Sequence, residues 1–111
     1  MIDEKIAPLV EALQNQEGIS TFGSCQGHPK GLGLNGGNGY RVPYVMFKAN
    51  DNVVDRLRTC LAETETSCAW SIEVFNADKN QFSLTVIFQP GFSLKNAWDD
   101  IPKLVSNICG N

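Results

Sequence analysis

Two stretches of alternating side chains, separated by a run of turn formers, constrain this chain more than any other feature. Trp70, Ile72 and Val74 alternate with Ser71, Glu73 and Phe75, while Phe82, Leu84, Val86 and Phe88 alternate with Ser83, Thr85 and Ile87. Successive side chains of a strand point to opposite faces, so the pattern predicts two strands that each bury one face. Between them Asn76, Ala77, Asp78, Lys79 and Asn80 favour a tight reversal, which makes the pair an antiparallel hairpin.

The flanking segments have helical spacing. Ile2, Ile6, Leu9, Val10 and Leu13 form an i, i+4, i+7 stripe that ends before Gly18, and Pro8 is tolerated only near the start of such a helix. Ile19 to Phe22 reads as a short strand. Residues 42–49 read as another, with Val45, Phe47 and Ala49 on one face and Tyr44, Met46 and Lys48 on the other. Asn50 or Asp51 then caps a second helix carrying Val53, Val54, Leu57, Cys60 and Leu61. Ser93 caps a last helical segment with Leu94, Trp98, Ile101, Leu104, Val105 and Ile108. Pro102 is expected to kink or restart it, with Asp99 or Asp100 as a second cap, and Gly110 ends it. Trp70 and Trp98 fall at apolar-period positions and are expected in the core, as is Cys60.

The order is therefore α-β-β-α-β-β-α. Half-polar strands leave one sheet face for the helices and the other partly solvated. The expected fold is α+β: a two-layer sandwich, with helices on one face of a four-stranded, largely antiparallel sheet. The 111 residues leave room for one domain, since domains typically run to roughly 100–150 residues. Tyr44, Met46 and Phe75 on the open face could support a homodimer or another partner contact.

Nine Lys and Arg against twelve Asp and Glu give a formal net charge of −3. Nucleic-acid-binding domains concentrate positive charge on one face, and no basic run exists here, which argues against a nucleic-acid partner. No stretch approaches the roughly 18 apolar residues of a membrane span, and the first residues lack the pattern of a secretory leader. The chain reads as cytoplasmic, with its cysteines (25, 60, 68 and 109) as reduced thiols.

Seven of the ten glycines lie between residues 23 and 39. Such density costs conformational entropy on ordering, so it suggests a loop whose backbone approaches a ligand, or else a long connection between two strands. Backbone amides in such a loop suit a phosphate or carboxylate. Gly31, Gly33 and Gly36 match a dinucleotide fingerprint only as a string, because no helix opens there. Cys25 and His28, three apart, have three readings: a thiolate–imidazolium nucleophile, half of a zinc site completed by Cys68 or Cys109, or a buried strand-end Cys beside a loop His.

Residues 21–28 (Thr-Phe-Gly-Ser-Cys-Gln-Gly-His) resemble the Thr-Thr-Ser-Ser-Cys-Ser-Gly-Arg motif of the tRNA methyltransferases of the wybutosine pathway, which follows a similar N-terminal helix. Thr21, Ser24, Cys25 and Gly27 match; Gly23, Gln26 and His28 are among the departures. The segment is also similar to small bacterial proteins with a Ser-Cys-x-Gly-His core followed by a Pro-x-Val-x-Phe strand, here residues 43–47. The resemblance implies a related α/β arrangement and a pocket near Ser24 and Cys25, which in the methyltransferases would take S-adenosylmethionine.

The expected function is a small binding module. Ser24, Cys25, Gly27 and His28 would line a ligand pocket or partner surface on residues 23–40, and Lys30 and Arg41 would supply positive charge. The alternatives are an interaction or inhibitor protein acting by surface alone, and a compact S-adenosylmethionine-dependent enzyme or Cys25-dependent catalyst.

Overall fold

The computed structural model describes residues 3–27 and 42–110. In these, α1 (Ala7–Gln14), β1 (Ser20–Cys25), β2 (Tyr44–Lys48), α2 (Asp51–Ala62), β3 (Trp70–Asn76), β4 (Gln81–Val86) and α3 (Leu94–Ile108) follow in the expected order. The four strands form one antiparallel sheet in the order β1-β2-β4-β3.

Register shows how the alternation is used. Val45 lies opposite Leu84, and Phe47 opposite Phe82. These four side chains are buried together with Ile72 of β3 under apolar residues of all three helices, among them Leu9 and Leu13, Val54 and Leu57, and Ile101 and Leu104. The Phe47 and Phe82 rings stack with centroids 5.9 Å apart. Tyr44, Met46, Ser83 and Thr85 occupy the other face and are only half-buried. The sandwich thus has two layers, with the helices on one face of the sheet.

Local signals account for most boundaries. The Asn50 side chain accepts a hydrogen bond from the Val53 N–H at 3.0 Å, and the Ser93 hydroxyl accepts from the Asn96 N–H at 3.3 Å. Each satisfies an amide that has no partner within its helix. The hairpin turns through a 3₁₀ segment, Ala77–Lys79, and Asn80, whose φ of 54° is one that asparagine tolerates better than most residues.

Several expectations are corrected. Pro102 sits inside one continuous helix instead of restarting it. It deprives the Trp98 carbonyl of its usual N–H partner, but the buried stripe of Leu94, Ala97, Ile101, Leu104 and Ile108 holds both halves against the core. Asp100 therefore caps no helix; it lies in mid-helix. Val74 faces the helical layer opposite Phe82, yet it is 58% exposed because it lies on an edge strand. Phe88 lies beyond the end of β4 and is exposed, with its ring 5.6 Å from that of Phe92. Among the described residues no helix is long and apolar enough to cross a membrane.

Candidate functional site

The anchored end of the glycine-rich stretch lies at the C-terminal end of β1. Ser24 is half-buried opposite Val45; Cys25 is buried opposite Tyr44, and so belongs to the face turned away from the helices. Gly27 is buried with φ +91°, a conformation that a side chain would strain. Its N–H donates to Cys25 Sγ at 3.3 Å. His28, Lys30 and Arg41 lie outside the described residues, as does the rest of the expected loop from 28 to 41.

Gln26 organises this segment, and the sequence did not single it out. Its N–H donates to the Asp3 carboxylate at 3.3 Å, and its side-chain oxygen accepts from the Lys5 N–H at 2.9 Å. Its carbonyl accepts from the Trp98 indole N–H at 2.7 Å. The turn before α1, the end of β1 and the middle of α3 are thereby tied to one residue. Trp98 packs against the core, as expected, but stays half-buried and directs its indole N–H at an acceptor; that need of an indole was the signal available in the sequence. The Lys5 ammonium lies 5.4 Å from the Trp98 ring centroid, within cation–π range.

A second polar cluster centres on Asp100, the one charged residue fully buried among those described. Its carboxylate accepts from the Ser67 N–H at 2.7 Å, the Cys68 N–H at 2.9 Å and the Trp70 indole at 3.0 Å. A buried carboxylate is tolerated when donors replace its water, and here they come from the connection between α2 and β3 and from the first residue of β3. Burial, the Asp100 charge and a hydrogen bond to Asp100 together push the Cys68 thiol above its ordinary pKa. That disfavours the thiolate that a nucleophile or zinc ligand requires. Cys60 is half-buried, its thiol donating weakly to the Asn107 carbonyl at 3.8 Å, and Cys109 is exposed. Among the described residues no group of three His, Cys, Asp or Glu is placed to hold a metal ion.

The edges of the sheet carry a third feature. The β1–β2 register shifts between Thr21 and Gly23, and the β3–β4 register shifts between Val74 and Asn76. The extra residue is a phenylalanine in each case, and bulges re-aim the side chains they carry. Although β1 and β3 are opposite edges, the Phe22 and Phe75 rings meet with centroids 6.2 Å apart. Both stay exposed, at 46% and 58%.

No family model matches the chain, and no curated protein or solved structure matches it either.

Proposed function

We propose that the protein is a small binding module whose ligand site is built on residues 23–40. Ser24, Cys25 and Gly27 form its anchored end, and His28, Lys30 and Arg41 lie on the stretch that continues from there. The observation that carries this reading is the threefold tethering of Gln26 to Asp3, Lys5 and Trp98. A slack connection between two strands needs no such clamp, whereas a site that positions backbone amides for an anionic group benefits from a fixed point of departure. The ligand class is a small molecule bearing a phosphate or carboxylate.

Native mass spectrometry of the protein purified from cytosol tests this. The expected spectrum contains an adduct of small-molecule mass that Cys25→Ser and His28→Ala each reduce. S-Adenosylmethionine and zinc, added separately, are the two probes suggested by the resemblance and by the Cys-x-x-His spacing. A bare mass under all these conditions would overturn the reading.

The exposed Phe22–Phe75 pair favours a second reading, contact with a protein partner or a second copy across the open sheet face. That reading expects the bare mass, together with association that Phe75→Ser weakens.

A further inference from the structure

A half-enclosed cavity of about 210 Å³ lies where the turn after α1, one side of α2 and the C-terminal end of α3 meet. It shares no lining residue with residues 24–27 and stands independently of the function proposed for them. Its apolar wall is made by Ile19, Val53, Leu57 and Ile108. All four belong to the buried core, so the cavity is walled by side chains of the core itself.

Arg56 and Gln16 stand on the lining of the same cavity. The one ion pair among the described residues joins Lys95 and Asp99, so the Arg56 guanidinium is unpaired there. Among the described residues the Gln16 carboxamide has no hydrogen-bond partner either. A guanidinium offers paired donors matched to a carboxylate, and a carboxamide can add a third. The volume equals about seven water molecules of liquid, enough for a ligand of roughly six to ten heavy atoms.

We infer that this cavity binds a small carboxylate with a short apolar body, its carboxylate on Arg56 and Gln16 and its carbon chain on Ile19, Val53, Leu57 and Ile108. An inorganic anion would use the cation and leave the wall bare; a neutral hydrocarbon would use the wall and leave the cation unpaired. Only a molecule with both parts uses everything the cavity offers.

The test is a titration of the full chain followed by ¹H–¹⁵N correlation spectra. Hexanoate is the probe, with 1-hexanol and inorganic phosphate as partial mimics. Hexanoate should give saturable shifts at Ile19, Val53, Leu57 and Ile108, with a Kd of about a millimolar, as suits a ligand of about eight heavy atoms. The alcohol and phosphate should each bind about tenfold more weakly or worse. Arg56→Gln, a surface change that leaves the fold intact, should reduce hexanoate to the affinity of the alcohol and leave the alcohol unchanged. Cys60 also stands on the lining, so Cys60→Met, which enlarges that side chain, should weaken both. Absence of saturation up to about 10 mM, equal affinity for hexanoate and phosphate, or shifts confined to other parts of the molecule would each overturn the assignment.

Discussion

Asp100→Ala is expected to lower the folding free energy by about 3–4 kcal/mol, because three N–H donors lose their acceptor in one step. Each buried unsatisfied donor costs roughly 1–3 kcal/mol, and exposed Ser67 lets water reach part of the vacated site, so the total falls below the sum. Asp100→Asn keeps the shape and one acceptor oxygen but turns the other into a donor facing donors. It should cost about 2 kcal/mol. Urea unfolding followed by tryptophan fluorescence measures both, since Trp70 reports directly on the cluster. A loss below about 1 kcal/mol for the alanine variant would show that the three bonds add little beyond what water supplies.

Asp100→Asn also has a pH signature at Cys68. The thiol is held above its ordinary value first by burial and then by the Asp100 charge and hydrogen bond. A raised thiol pKa contributes stability that is complete below the ordinary thiol range and is lost as pH rises through the folded value. At mildly alkaline pH, iodoacetamide should therefore modify Cys68 more slowly than exposed Cys109. Asp100→Asn removes the charge, so Cys68 should react faster and Cys109 should not change. Equal rates at Cys68 in the two proteins would exclude the electrostatic link.

Phe47→Ala is the companion test of the core, with an expected loss of about 3–5 kcal/mol. Phe47 is fully buried and stacked on Phe82 beneath the helices, so truncation removes its transfer energy and leaves a void that a strand held between β1 and β4 closes poorly. That is a large share of the roughly 5–15 kcal/mol that holds a domain of this size. Phe47→Leu should cost nearer 1.5 kcal/mol, since much of the volume is kept. Phe75→Ala, which removes an exposed ring, should cost under about 1 kcal/mol. Comparable losses at Phe47 and Phe75 in urea unfolding would contradict the assignment of the two sheet faces.

The residues whose placement was legible are those whose signal is local. The hairpin, the caps at Asn50 and Ser93, and the inward set of Val45 and Phe47 follow from a period of two, from orphaned helix-end amides and from turn chemistry. Each of these acts within a few residues. The restart expected at Pro102 does not occur, for the complementary reason: a local rule disfavours proline in mid-helix, while long-range packing of the α3 stripe overrides the lost hydrogen bond. For the candidate site, the sequence pointed to Ser24, Cys25 and Gly27 but not to the Gln26 clamp, which depends on Asp3 and Trp98, far away in the chain.

The sequence by itself determined the element order, the antiparallel hairpin and which strand faces would be buried, because hydrophobic periodicity and capping are read within one turn or one strand. Only the tertiary structure decided that Asp100 is a buried acceptor for residues 67–70 and that Gln26 ties the turn before α1 to α3. It alone brought Phe22 and Phe75 together from opposite edges and left an apolar cavity beside Arg56. These are contacts between residues that sit far apart in the chain, and their partners are chosen by where the folded elements meet.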